Sequence, residues 1–232
     1  MVYVHVPDRA AQVRRLTGSL EQPNADCPSR PSGLHGLPTQ NNVGFRSRAV
    51  QTAGSLLGRS EWKAAHVIVR SETPRDIDAV REVNIVAFEH HPFSHQTEHL
   101  IVEALRAADA LELSLVAETD GEVVGHIAFS AASIGGTSSG WFLLGPVAAL
   151  PDHQGKGIGR ALVETGLDAL RSRGACGSVL VGAPAFYCRF GFRQYPGIAW
   201  EGVPDENVLC LLMSGDAPVG EVSYQPAFLA GT

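Results

Sequence analysis

The stretch QGKGIGRAL, residues 154–162, decides the fold, because three glycines at alternate positions run directly into a helix with one apolar face. The residues before it, Leu143 to Pro151, are typical of a buried strand. Glycine lets a backbone approach a ligand closely, and the N–H groups at a helix start favour an anion. A strand, a glycine loop and a helix in this order therefore predict a site for a phosphate-bearing ligand.

Regular hydrophobic periodicity begins at His66 and continues to about residue 226. It predicts the element order β-α-α-β-β-β-α-β-α-β-β, and hence a mixed sheet with helices on both faces. Strands are expected at residues 67–70, 113–118, 122–130, 141–150, 178–181, 192–195, 208–213 and 221–224. Helices are expected at about residues 73–88, 96–108, 157–173 and 184–190. Residues 133–140 are expected to form a flexible hairpin tip.

Residues 1–65 have a different composition, with eight basic and four acidic residues and many prolines and glycines. No period of 2 or 3.6 residues is sustained there, so we expect a disordered or nonessential extension with at most a short helix at residues 8–20. A transit peptide and an overlong translation start are both compatible with this composition. The predicted domain boundaries are thus 1–65 for the extension and 66–226 for the folded domain.

Composition also limits the function. The net charge of −6 argues against broad electrostatic binding of nucleic acid. No segment approaches the roughly 18 apolar residues that a membrane span requires. The four cysteines are widely spaced and form no CxxC pair, so no metal site is predicted. We expect a cytoplasmic protein, a monomer or a homodimer, with no nucleic-acid or membrane partner.

Two nucleotide-binding motifs match the glycine stretch only poorly. The P-loop pattern GxxxxGK[ST] is missing, and the dinucleotide pattern GxGxxG has Arg160 where its third glycine should stand. Nucleotide binding therefore stays a minor alternative.

Gln154-x-x-Gly157-x-Gly159 instead resembles the Gln/Arg-x-x-Gly-x-Gly/Ala motif of the GNAT acetyltransferase superfamily. Tyr187-Cys188-Arg189-Phe190-Gly191-Phe192 resembles the Tyr-x-x-x-Gly-Phe element of the same family, and the strand from Gly145 to Pro151 is similar to one found in a bacterial branch of it. The resemblance covers about residues 66–226. It implies an α/β (α+β) acyl-CoA N-acyltransferase fold, with a mixed, mostly antiparallel central sheet flanked by helices.

The resemblance implies an N-acetyltransferase that moves an acetyl group from acetyl-CoA to a primary amine, on a small molecule or a protein, by direct attack in a ternary complex. A noncatalytic acyl-CoA-binding sensor or regulatory module is the alternative. The pantetheine arm would pair with backbone groups of Val147, Ala148 and Ala149. The pyrophosphate would lie on the loop and helix start, at Gln154, Gly155, Lys156, Gly157, Ile158, Gly159 and Arg160.

Tyr187 is the expected catalytic acid, because a phenol with an ordinary pKa of about 10 can protonate the departing CoA thiolate. The general base is less clearly marked. Glu118, near the end of a predicted strand, is the first candidate, and His90 and His91 in the loop after the first helix are others. His126 on a strand is expected to be a packed histidine. The loops expected to shape the acceptor site do not name the acceptor.

Overall fold

The computed structural model describes residues 49–50, 67–92 and 94–230 of the chain. The expected helix at residues 8–20 and most of the expected extension lie outside these ranges. The domain boundaries therefore stay a prediction.

Within the described ranges, the chain forms nine strands and four α-helices, joined by short 3₁₀ turns. The strands are β1 (Ala49–Val50), β2 (Val67–Ser71), β3 (Leu111–Thr119), β4 (Glu122–Ile134), β5 (Thr137–Ala149), β6 (Gly177–Val181), β7 (Ile198–Ala199), β8 (Val208–Leu212) and β9 (Gly220–Ser223). The helices are α1 (Ile77–Phe88), α2 (Glu98–Ala107), α3 (Ile158–Ser172) and α4 (Pro184–Tyr187).

The main sheet has the strand order β1-β2-β3-β4-β5-β6-β8, and β9 joins the far end of β4. Its neighbours are antiparallel except β5 and β6, which run parallel. Helices α1 and α2 cover one face, where Val80 and Val102 pack with Val116 of β3. Helix α3 covers the other face, where Leu162 packs in one cluster with Leu115. The predicted mixed, mostly antiparallel sheet with helices on both faces is confirmed.

Two turns show how local sequence fixes the hairpins. Asp120 and Gly121 have φ values of 52° and 85°, as a two-residue turn between twisted antiparallel strands requires. Gly135 and Gly136 have φ values of 58° and 81° and form an equally tight turn between β4 and β5. The hairpin expected at residues 133–140 is present, but its turn is confined to Gly135 and Gly136, because the glycine pair lets both strands continue almost to the turn.

The end of the domain differs from the sequence prediction. Residues 192–195 do not form a strand, and only Arg193 makes an isolated bridge to Cys210. Strand β7 was not predicted, because two residues carry no measurable alternation.

A chain of buried polar side chains links α1 to the sheet. The Asn84 side-chain amide lies 3.1 Å from Nδ1 of His126, and Nε2 of His126 lies 2.9 Å from Oγ of Ser114. Ser114 donates to the Glu72 carboxylate, which also accepts from Arg106. His126 is fully buried, which confirms it as a packed histidine. Burial, reinforced by Arg106, lowers the pKa of His126 from 6.5 to about 3.

We expect the free energy of unfolding to fall as the pH drops below 6.5, because the unfolded chain then protonates His126 while the folded chain does not until about pH 3. The contribution is at most ~1.4 kcal/mol per pH unit within that window. Urea denaturation at about pH 7 and about pH 5 measures it, with His126→Gln as the comparison. Equal pH slopes in the two proteins would contradict the assignment.

Candidate active site

The glycine stretch forms the connection between β5 and α3. Gly155 and Gly157 have φ values of 70° and 89°, which favour glycine, and α3 begins directly after them at Ile158. None of the six backbone N–H groups from Gly155 to Arg160 donates a hydrogen bond to the described residues. A row of unbonded N–H groups at the positive end of a helix suits an anionic ligand.

The side chains of this loop have separate structural roles. Ile158 is 2% exposed and anchors the start of α3 in the core. A Cβ on Gly125 of β4 would lie only 2.6 Å from Ile158 Cγ2, so glycine there lets α3 lie close to the sheet. Arg160 is bound to Glu164 at 2.8 Å on the exposed side of the helix. Lys156 is exposed and has no ion pair with a described residue, so it is the cation available at the loop rim.

Strands β5 and β6 separate beside this loop. Their register runs from Trp141↔Gly177 to Leu143↔Val179 and stops there, whereas β5 remains paired with β4 as far as Ala149. A bulge lies in β5, since Ile127 faces Val147 while Phe129 faces Leu144. The bulged segment contains Pro146, which has no N–H to donate. We call the space between residues 144–149 of β5 and residues 180–187 the β5–β6 gap.

The direction of the β5 backbone groups follows from one bond. Leu150 N–H donates to the Val124 carbonyl of β4 at 3.0 Å. Going back along β5 from Leu150, the N–H and C=O groups of successive residues therefore point alternately away from β4 and toward it. Ala148 therefore bonds to β4, while Val147 and Ala149 turn toward the β5–β6 gap. The Ala149 carbonyl accepts from the Gln154 side chain at 3.0 Å. Of the three strand residues expected to pair with the pantetheine arm, Val147 and Ala149 thus have the suitable backbone direction.

Tyr187 ends α4 on the far side of the gap. It is 0% exposed, and its ring makes edge contacts with Phe186 and Phe192 at centroid distances of 5.1 and 5.6 Å. Its hydroxyl is buried and has no hydrogen-bond partner among the described residues. Burial raises the pKa of Tyr187 well above its ordinary 10, so the phenol keeps its proton. Tyr187, Val147 and Ile158 all belong to the large apolar cluster on the α3 face of the sheet.

Glu118 is not brought to this cluster. It lies on β3, on the sheet face that carries Val116 and α1, and β4 separates it from β5. Its carboxylate accepts from Arg70 Nε at 2.9 Å, and Arg70 also binds Asp76. Arg70 therefore already occupies this carboxylate. The role of Glu118 as general base stays a prediction, and this geometry does not favour it.

The two histidine candidates lie in the loop after α1. His90 is exposed, whereas His91 is half-buried against Phe88, with ring centroids 6.0 Å apart. Burial lowers the pKa of His91 from its ordinary 6.5.

Comparisons with known proteins identify the family. The profile of the acetyltransferase (GNAT) family matches residues 77–192. The N-acetyltransferase YhbS of Escherichia coli strain K12 is 35% identical over 128 residues, which are 55% of this chain and 74% of YhbS. The N-acetyltransferase YjhQ of the same strain is 32% identical over 165 residues, which are 67% of this chain and 84% of YjhQ. The chain belongs to the GNAT family of acetyltransferases.

Two solved GNAT structures resemble the fold over most of their length. A GNAT acetyltransferase from Brucella melitensis, in complex with acetyl-CoA, has a TM-score of 0.64 and 48% identity, covering 71% of this chain and 99% of that chain. YhbS from Escherichia coli, in complex with CoA, has a TM-score of 0.64 and 28% identity, covering 75% of this chain and 98% of that chain. No described helix of this GNAT protein is long and apolar enough to cross a membrane.

Glu98 was not predicted as a site residue. Glu98, in the first turn of α2, is only 3% exposed. An acidic residue at a helix start is common on exposed helices as well, so its sequence position gave no signal of burial.

We expect Gly155→Ala to weaken acetyl-CoA binding about tenfold or more, since a left-handed alanine strains the backbone whose N–H groups would bind the phosphates. Gly174→Ala is the matched control. Gly155 and Gly174 have φ values of 70° and 75°, and a Cβ at either position meets no atom within 4 Å. Both variants should lose about 1–2 kcal/mol of stability. Calorimetric titration with acetyl-CoA compares them, and equal affinities would contradict a phosphate site at Gly155.

Proposed function

We propose that this GNAT protein transfers an acetyl group from acetyl-CoA to a primary amine by direct attack in a ternary complex. The observation that carries the proposal is the β5–β6 gap, which lies beside six unbonded N–H groups at the start of α3. Solved relatives with this fold bind acetyl-CoA or CoA, which supports the same donor here.

The residues on the two sides of the gap fit the parts of acetyl-CoA. The N–H groups from Gly155 to Arg160 would hold the pyrophosphate, and Lys156 adds a positive charge at the rim. The backbone of Val147 and the N–H of Ala149 would pair with the amides of the pantetheine arm, as an added strand does at a sheet edge. An N–H of this edge would also polarise the thioester carbonyl.

Tyr187 would supply the proton that the reaction requires at sulfur. When the amine nitrogen bonds to the thioester carbon, the carbon–sulfur bond breaks and a thiolate leaves. The Tyr187 hydroxyl donates to that thiolate. Its raised pKa keeps the proton in place beforehand, and its lack of a partner in the described structure leaves the donor available.

The charge of the domain favours a cationic acceptor. Residues 66–232 carry ten basic and twenty acidic residues, so the folded part is strongly negative. A negative surface raises the local concentration of ammonium groups and speeds their encounter. Both small amines and protein amines satisfy this condition.

Thermal unfolding of the full chain with acetyl-CoA, NAD and ATP tests the donor. A ligand present at 100 times its dissociation constant adds about 2.7 kcal/mol to the free energy of unfolding. We expect a rise in melting temperature with acetyl-CoA alone. A rise with NAD or ATP and none with acetyl-CoA would overturn the proposal in favour of nucleotide binding.

We expect Tyr187→Phe to lower kcat by about 10²- to 10⁴-fold with an unchanged dissociation constant for acetyl-CoA. The variant should also be about as stable as the wild type, or up to ~1–3 kcal/mol more stable, because it removes a buried hydroxyl that has no partner. Steady-state kinetics and urea denaturation measure the two effects.

A Tyr187→Phe variant that keeps full activity would contradict the acid role. If the wild type binds acetyl-CoA but acetylates none of a broad panel of primary amines, the noncatalytic sensor becomes the better description.

A further inference from the structure

Glu98 is a buried carboxylate that no strong cation neutralises. Asp76 is the other buried carboxylate of the described residues, and Arg70 binds both of its oxygens at 2.7 and 2.8 Å. Glu98 has no ion pair with any arginine or lysine that the structure describes. A buried carboxylate without an arginine or lysine partner is costly, and a bound cation would offset that cost.

The immediate surroundings of Glu98 are only weakly polar. Ser94 Oγ lies 2.7 and 2.8 Å from the two carboxylate oxygens and has a single proton to share between them. Backbone N–H groups at the start of α2 add partial solvation. Burial nevertheless dominates and raises the pKa of Glu98 above its ordinary 4.5. A carboxylate shifted in this direction is a better proton acceptor near neutral pH.

The ionisable groups near Glu98 are few. His95 in the preceding loop is the one side chain whose charge lowers the Glu98 pKa. His99, the next residue of α2, is influenced by Glu103 and Arg81. The turn Pro226–Leu229, which packs on α2, contains no ionisable side chain. An added ammonium group would therefore be the main positive charge at this carboxylate.

Glu98 lies in a segment whose flanking residues Phe88 and Ile101 belong to apolar clusters with the strands that border the β5–β6 gap. Phe88, at the end of α1, packs with Ala148 of β5. Ile101, one turn after Glu98 in α2, shares an apolar cluster with Leu143 of β5 and Val181 of β6, the two strands that separate. Glu98 lies in the segment between these two anchors, on the sheet face opposite α3.

We propose that Glu98 binds the ammonium group of the acceptor and removes its proton; this inference rests on the proposed function. A Glu98 oxygen takes one proton from R–NH₃⁺, which leaves a neutral amine whose lone pair forms the C–N bond as the C–S bond breaks. The thiolate takes the Tyr187 proton. The nitrogen then loses a second proton, which returns to Tyr187 through water and restores its hydroxyl. Glu98 releases the first proton to solvent. Each turnover therefore yields the amide, CoA thiol and one proton in solution.

Glu98 suits this role better than Glu118 does. Glu118 is on a strand two positions from the gap and is already paired with Arg70. Glu98 has no such arginine partner among the described residues, and the helix that precedes its loop packs on β5 through Phe88.

The test compares Glu98→Gln with Glu103→Gln, a change on the same helix at a residue paired with Arg81 on the surface. Initial rates are measured against pH with acetyl-CoA and a panel of spermidine, tyramine and lysine amides. We expect Glu98→Gln to lower kcat/KM by about 100-fold and to remove the acidic limb of the pH profile. Glu103→Gln should keep the wild-type kcat/KM and the acidic limb of the pH profile. The wild type and the two variants should bind acetyl-CoA equally.

A second readout does not depend on turnover. Carbon-13 NMR of the labelled carboxyl groups, with the Glu98 signal assigned by its loss in Glu98→Gln, gives the pKa of Glu98 directly. We expect a value above 4.5 in the free protein and a lower one with saturating butylamine, because the ammonium stabilises the carboxylate. A pKa at or below 4.5, or no response to butylamine, would overturn the proposal.

The outcomes separate the two ideas. Failure of the wild type to bind acetyl-CoA, or to acetylate any amine, would contradict the proposed function itself. An active Glu98→Gln enzyme with an unchanged pH profile overturns the role of Glu98 alone, as does activity lost in Glu118→Gln but kept in Glu98→Gln.

Discussion

The unequal pairing of strand β5 is the constraint on which the candidate site depends. One edge of β5 is bonded to β4 as far as Ala149, while its other edge leaves β6 after Leu143. The bulge that contains Pro146 explains why β5 separates from β6. It adds a residue and bends the strand, and its proline has no N–H to donate to a neighbouring strand. This edge of β5, which pairs with no described strand beyond Leu143, is thereby held in place by β4 on its other side.

The same geometry fixes where α3 begins. Because β5 ends next to β4, the connection to α3 must turn within a few residues, and the left-handed Gly155 and Gly157 make that turn. Ile158 then anchors the helix above Gly125, where any larger residue would push it away. The unbonded N–H groups therefore lie beside the open edge of β5 as a direct result of sheet packing. One chain segment supplies both a groove for an extended ligand and an anion site at its end.

The parts of this site that sequence could predict are local. The glycine spacing and the Tyr187 element are each legible within a few residues, and the structure puts both beside the gap. The parts that could not be predicted depend on distant residues. Glu118 looked available because its partner Arg70 is 48 positions away. Glu98 looked like an ordinary acidic helix start, because its hydrogen-bond partner Ser94 lies outside the helix and α2 packs against a turn more than a hundred residues later. Pairing and burial at these distances leave no trace in local periodicity.

The gap reaches both faces of the sheet, and this bears on how acid and base would be arranged. Tyr187 belongs to the apolar cluster under α3, whereas Glu98 starts a helix on the opposite face. Two ionisable groups on one side would perturb each other, and a carboxylate near the phenol would oppose transfer of its proton to another anion. With the sheet between them, burial raises both pKa values independently, so Tyr187 stays protonated before the reaction and Glu98 is a better proton acceptor. On the proposed assignment, an amine would approach the thioester carbon from the α2 side, and sulfur would leave toward α4. On this assignment, the separation of β5 from β6 would let the reacting carbon meet a proton acceptor on one face of the sheet and a proton donor on the other.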